Sequence, residues 1–263
     1  MILVLSGTHE GRAIIEQLLD MNLPCTLSVT SSLGAQTYAD LNCPIHLGKF
    51  DVESLTQWIH QYQVKGVIDA THPHAQEIKK IAQIACEHTK TPYFRFRRKP
   101  SQTSLNIPLD KVTYFNSVDD LISTLKQERQ VRNILITGIK HIDVFYKHFS
   151  KEQCFFRIMP SRYSIEQCEL KHVPLSNIIG IKAPCSVSLN QALLETYDIS
   201  HFVFKESGEG SGYMNNLEAI KEQNVKSGVK GFILKEVNED VNFRDNTYEH
   251  VKDMCLMIKK IML

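Results

Sequence analysis

The chain has 263 residues, of which 43% are hydrophobic and 22% charged, with a formal net charge of +1. That length suffices for one large α/β core or two of about 130 residues each, while the near-neutral balance excludes the basic excess of a nucleic-acid-binding domain. The longest apolar runs are too short to cross a bilayer, the first residues lack the basic region of a signal peptide, and seven scattered cysteines without C-x-x-C spacing suit reduced thiols in a cytoplasm better than a disulfide framework or a zinc site.

The opening stretch organises the rest. Residues 2–5 form an apolar run that reads as a buried parallel strand, broken at Ser6-Gly7, and an apolar helical pattern (Ala13, Ile14, Ile15, Leu18, Leu19) follows Gly11. Strand, glycine turn and helix present free backbone N–H groups to a phosphate. Gly7 permits the tight turn, Gly11 would let a pyrophosphate approach the backbone, and Thr8 caps the helix. The spacing is G-x-x-x-G, one glycine short of the usual dinucleotide fingerprint, so an ordinary strand-to-helix turn without ligand is the competing reading.

A second strand, 25–29, ends in Thr30-Ser31-Ser32, where NAD-preferring folds carry an acid for the ribose 2′-OH. Hydroxyls there, with no carboxylate before Asp40, favour NADP over NAD; a plain polar turn is the alternative. Further strands are expected at 44–48, 66–70 and 91–100, with helices at 51–61 (Trp58 in the core) and after Ala75. The fourth strand runs into Thr71-His72-Pro73-His74, which places Thr71, His72 and His74 on the same ligand edge as Gly7. Pro73 between the two histidines argues against a metal. The fifth strand ends in a basic cluster, Arg95 to Lys99, which reads either as a solvated edge or as a site for substrate carboxylates.

A weak strand at 112–115 and a helix at 118–125 follow, and charged residues 126–132 read as a junction. The alternation then restarts: strands at 133–138, 154–159, 178–181, 199–204 and 231–234, helices at 141–149, 187–197, 214–223 and 248–262. The predicted fold is α/β, two doubly wound Rossmann-like parallel-sheet domains, residues 1–130 and 131–263, with a cleft between them. Lys205-x-Ser207-Gly208 falls at a strand end facing that cleft, either as a flexible loop or as an anion site.

Several pieces match one family together: Ser6-Gly7-Thr8-His9-Glu10-Gly11-Arg12, Asp69-Ala70-Thr71-His72-Pro73, Pro92-Tyr93-x-Arg95 with Arg98, Thr137-Gly138, Pro160, Asn190 with Ala192-Leu193-Leu194, and Lys205-Glu206-Ser207-Gly208. The chain resembles, nearly end to end, the precorrin-6A reductase family of cobalamin biosynthesis, its cobalt-precorrin-6A branch included. The resemblance implies a cytoplasmic, NADPH-dependent reductase that delivers hydride to an unsaturated bond of a tetrapyrrole, with the macrocycle and other enzymes of the pathway as partners. It assigns Gly7, Thr8, Glu10, Gly11 and Arg12 to the pyrophosphate turn, Thr30, Ser31 and Ser32 to the adenosine ribose phosphate, and Thr71, His72 and Pro73 to the nicotinamide. Arg95, Arg98, Lys140, Lys205, Ser207 and Gly208 would bind the substrate, with Arg157, Arg162 and Lys182 as further cations at strand ends or loops; His72 is the candidate proton donor, with water as the alternative. Departures at His74, Arg97, Lys99 and the Gly-Glu-Gly-Ser-Gly loop fall on the substrate side. The competing class is a non-catalytic NADP-binding regulator of dehydrogenase-like fold.

Overall fold

The computed structural model describes residues 1–7, 9–72, 74–97, 111–207, 210–235 and 246–262. In chain order the elements are β1 (Ile2–Leu5), α1 (His9–Asp20), β2 (Cys25–Val29), α2 (Ser32–Gln36), β3 (Ile45–Leu47), α3 (Val52–Gln61), β4 (Gly66–Asp69), α4 (Gln76–Thr89), β5 (Tyr93–Phe96), β6 (Val112–Phe115), α5 (Val118–Leu125) and β7 (Asn133–Thr137). They continue with α6 (Ile142–Tyr146), β8 (Cys154–Ile158), α7 (Arg162–Leu170), β9 (Ile178–Gly180), α8 (Val187–Thr196), β10 (Ile199–Lys205), α9 (Tyr213–Ser227), β11 (Lys230–Leu234), β12 (Thr247–Tyr248) and α10 (Val251–Met262).

Two sheets result, in the orders β12-β5-β4-β1-β2-β3 and β6-β11-β10-β7-β8-β9, with every neighbouring pair parallel. Strands covered on both faces must be apolar throughout rather than alternating, and β1 shows why. Ile2 and Val4 join the cluster that holds Ile14 and Leu18 of α1 and Ile258 of α10. Leu3 and Leu5 point the other way, to Leu55 and Ile59 of α3 and Ala82 and Ala85 of α4. The second sheet repeats the plan. Ile134, Ile136 and Phe156 pack with α5 and α6, while Leu135, Phe155, Phe202 and Phe204 pack with Leu194 of α8 and Leu217 and Ile220 of α9.

Within each sheet the strand order reverses once, between β1 and β4 in the first and between β7 and β10 in the second. The carboxyl ends of strands at such a reversal open a crevice, because the flanking helices leave to opposite faces.

The division of the chain corrects the sequence expectation of a boundary after residue 130. One unit is Met1–Lys99 with Asn238–Leu263, the other Pro100–Val237. β6 and α5 join the second sheet, and β12 and α10 return to the first. The first sheet therefore takes its sixth strand, β12, from beyond the second unit, whereas the second sheet is built from the consecutive strands β6 to β11. Periodicity gives the order of elements but not the sheet an edge strand will join, and cutting after α5 treats each repeat as closed. α2, α7 and β12 were also not expected. The first and last are only 5 and 2 residues long, and α7 buries only Ser164 and Cys168.

Ile258 is fully buried against α1 and β5, and Trp58, the only tryptophan, lies in the first unit. Ile258→Ala is expected to lower the stability reported by Trp58 fluorescence in urea by about 2–5 kcal/mol; an unshifted Trp58 transition would mean that the last helix does not belong to the first core.

Candidate functional site: two strand-end crevices

At the end of β1 the two glycines have different surroundings. A Cβ on Gly7 would meet no atom within 4 Å, whereas a Cβ on Gly11 would lie 1.6 Å from Ser6 Oγ and 2.5 Å from Ser6 Cβ. The missing side chain at Gly11 makes room for Ser6, and Gly7 is the open position. Ser6 in turn shares a hydrogen bond of 3.0 Å with Tyr38 Oη.

Arg12 is engaged away from the turn. Its guanidinium donates to the Thr37 carbonyl at 2.8 Å, pairs with Glu16 at 2.9 Å and grips the Asp40 carboxylate through both terminal nitrogens. The first carboxylate after β2 is thus neutralised by a cation. Glu10 is half-buried in the first turn of α1. Thr30, Ser31 and Ser32 are exposed; Ser31 Oγ caps α2 by accepting from the Gly34 N–H at 3.1 Å. Thr8 lies outside the described residues.

The end of β4 is built on Asp69, which is fully buried. Its Oδ1 accepts from the Thr71 N–H at 2.8 Å and the Thr71 hydroxyl at 2.6 Å; its Oδ2 accepts from Tyr93 Oη at 2.6 Å and Arg95 Nη1 at 2.5 Å. Burial alone would raise the Asp69 pKa, but the Arg95 charge and these hydrogen bonds outweigh it and hold the carboxyl below its ordinary value. Arg95 is correspondingly 6% exposed. Its guanidinium pairs with a carboxylate of the protein itself. Arg98 lies outside the described residues.

Thr71 and His72 are half-buried on this edge. His72 Nδ1 accepts from the His74 N–H at 3.2 Å, which leaves the neutral ring's proton on Nε2. Protonating Nδ1 would set one N–H against another. In this geometry the Nδ1 lone pair of His72 is used within the loop. Pro73 lies outside the described residues. Among the described residues no group of three or more His, Cys, Asp or Glu is placed to hold a metal ion.

At the second reversal, β10 ends on Lys205, half-buried, followed by Ser207, which is 8% exposed. Burial and then the charge of Lys140 push the Lys205 pKa down to about 8. Lys140 itself is exposed just beyond β7. Gly208 lies outside the described residues. From β8, half-buried Arg157 donates to Asn190 Oδ1 at 2.5 Å and Asn216 Oδ1 at 3.3 Å, and lies 5.2 Å from the Phe202 ring centroid. Asn190 Nδ2 also donates to Asn216 Oδ1 at 3.1 Å. Among the described residues no carboxylate pairs with this guanidinium. The contribution of Asn216 was not legible in the sequence, since it reaches Arg157 across 59 residues. Ahead of α9, Gly212 has φ +83° and a Cβ there would lie 2.9 Å from Pro184 Cβ, so both its backbone and its packing require glycine.

Residues 1–231 match the family described as precorrin-6x reductase CbiJ/CobK. The chain belongs to this family. Curated relatives include the cobalt-precorrin-6A reductase of Priestia megaterium, 29% identical over 225 residues covering 84% of this chain and 86% of the relative. That of Salmonella typhimurium is 25% identical, with 82% and 81% covered. The precorrin-6A reductase of Rhodobacter capsulatus is 26% identical, with 84% and 83% covered. The solved structure titled CobK precorrin-6A reductase superposes with a TM-score of 0.74 at 21% identity, covering 99% of this chain and 96% of that one; it shares the fold of two parallel-sheet α/β units. The chain is thus an oxidoreductase of the cobalamin-biosynthetic reductase family, and among its described residues no helix is long and apolar enough to cross a membrane.

In this reductase the family-like motifs Gly7 to Arg12 and Asp69 to His72 lie on adjacent strands, since Leu5 pairs with Asp69. Gly11→Ala is expected to destabilise the first unit by about 1–3 kcal/mol through overpacking, and Ser6→Gly, which removes the obstructing atoms, to recover part of the loss in the double variant. Equal unfolding midpoints for Gly11→Ala and the parent would overturn this placement.

Proposed function

We propose that this reductase converts precorrin-6A or cobalt-precorrin-6A to its 6B form in the cytoplasm, with NADPH as the reductant bound by the first unit. The observation that carries the cofactor reading is the open Gly7 position at the end of β1, on a strand-to-helix turn at the sheet's reversal, where backbone N–H groups suit a pyrophosphate. The hydroxyls of Thr30 and Ser32 stand exposed at the end of β2, and the nearest carboxylate in sequence, Asp40, is held by Arg12. That environment accommodates a 2′-phosphate, which an acid at the strand end would repel. NADPH supplies the hydride; the protein's task is to hold donor and acceptor in place.

Thr71 and His72, fixed through Asp69 and the His74 N–H, would orient the nicotinamide, with His72 Nε2–H as a hydrogen-bond donor. Water then completes the proton inventory of the reduction. In the second unit, Lys205, Lys140 and Arg157 would receive the acetate and propionate carboxylates of the macrocycle. A half-buried guanidinium that, among the described residues, is satisfied by neutral amides is poised for an anion.

Two outcomes test this reading. Gly7→Val should leave the Trp58 unfolding midpoint unchanged yet weaken NADPH binding by about tenfold or more (roughly 1.4 kcal/mol), and NADH should bind the parent much more weakly. Equal affinity for both nicotinamides, or an unaffected Gly7→Val, would remove the cofactor assignment.

The second outcome concerns pH. With its folded pKa near 8, against 10.5 when unfolded, Lys205 costs stability while charged below pH 8, and that cost fades as pH rises toward 10.5. Carboxylate binding needs the charged form, so KM for the tetrapyrrole should climb above about pH 8 in the parent and stay level in Lys205→Arg. Identical profiles for the two proteins would contradict the role of Lys205.

A further inference from the structure

Away from the crevice, the first unit holds two thiols side by side. Cys25 opens β2, and Cys43 precedes β3 by two residues. The parallel register sets Leu27 against Ile45, and the Leu27 N–H donates to the Pro44 carbonyl at 2.9 Å. Two residues earlier on each strand, the same register brings Cys25 against Cys43, with their sulfurs 3.7 Å apart. Both are free thiols; Cys25 is buried and Cys43 only partly so, so a small reagent reaches Cys43 first.

The electrostatics run in the same direction. A hydrogen bond from Cys25 outweighs burial and brings the Cys43 thiol down to about 7, while that bond and then burial push the Cys25 thiol up. The more accessible thiol, with a pKa near ambient, is the better attacking group in thiol–disulfide exchange, and a close second thiol resolves the mixed disulfide.

The chain between the two cysteines, residues 26–42, carries the exposed Thr30, Ser31 and Ser32, together with Tyr38, which bonds Ser6, and Asp40, which pairs with Arg12. We propose that Cys25 and Cys43 form a reversible intramolecular disulfide in exchange with small-molecule disulfides, closing a covalent ring around the segment that carries the hydroxyls at the end of β2.

The exchange balances in two steps. The Cys43 thiolate attacks one sulfur of a small disulfide RSSR, forming Cys43–S–S–R and releasing RS⁻, which takes up a proton. Cys25 then loses its proton to solvent and its sulfur attacks Cys43 Sγ, displacing the second RS⁻. The two protein thiols give up two electrons and two protons, and RSSR becomes two RSH.

Cross-linking stabilises chiefly by restricting the unfolded chain, and tethering the base of this segment pre-organises its hydroxyls. The oxidised protein should therefore melt at a higher temperature and release NADPH more slowly; this last effect alone rests on the cofactor reading given under Proposed function.

The test incubates the full chain with oxidised glutathione. The expected product has lost two hydrogens in mass and yields one cross-linked peptide joining Cys25 to Cys43; dithiothreitol reverses it. Cys43→Ser should abolish both the cross-link and the gain in melting temperature, and Cys255→Ser should retain them. Continued alkylation of both thiols, a stable glutathione adduct on Cys43, or a link from Cys25 to Cys255 would each overturn the proposal. A disulfide that forms without slowing NADPH release would remove the effect on the cofactor, whereas failure of the reduced protein to bind NADPH would count against the cofactor reading and leave the disulfide standing.

Discussion

One buried carboxylate fixes the carboxyl edge of β4 in the first unit. Asp69 closes β4 and gathers donors from Thr71, Tyr93 and Arg95. Its side chain is 0% exposed and that of Arg95 7%, so neither charge has water to fall back on. An ion pair this deep contributes little beyond what an apolar pair would, yet breaking it by removing one partner costs about 3–5 kcal/mol. What it supplies is position. Thr71 is held by both its backbone and its hydroxyl, and the chain must leave the strand toward His72 along one path. Because β4 neighbours β1 in register, the same anchor sets the distance from that path to Gly7.

The second unit uses charge in the opposite sense. Arg95 in the first unit is matched with a carboxylate, but Arg157 is matched with the amides of Asn190 and Asn216, and Lys205 with a like charge at Lys140. One reversal carries an ion-paired scaffold beneath an open glycine turn, the other a set of cations that, among the described residues, pair with no carboxylate. The substrate and cofactor roles proposed above build on that contrast.

Much of the fold was legible because strands buried on both faces must be continuous apolar runs, and those runs in β1, β4, β7, β8 and β10 are hard to mistake. The sheet that β6 and β12 join was not legible, since Val112 to Phe115 and Thr247-Tyr248 carry no mark of it. At the site, glycines and strand ends were found from local pattern, but their tasks depended on partners distant in sequence. Gly11 serves Ser6, Arg12 serves Asp40, and Arg95 serves Asp69 across 26 residues. A basic residue at a strand end reads the same in sequence whether it faces a ligand or a buried acid on the neighbouring strand.

The most direct measurement compares Asp69→Asn with the parent by urea unfolding of the Trp58 signal and by NADPH titration. The substitution keeps the volume, removes the charge and leaves Arg95 without its carboxylate, so stability should fall by about 3–5 kcal/mol and NADPH binding should be lost under conditions where the variant is still folded. Parent-like unfolding together with parent-like NADPH affinity would show that the carboxylate does not hold the ligand edge in place.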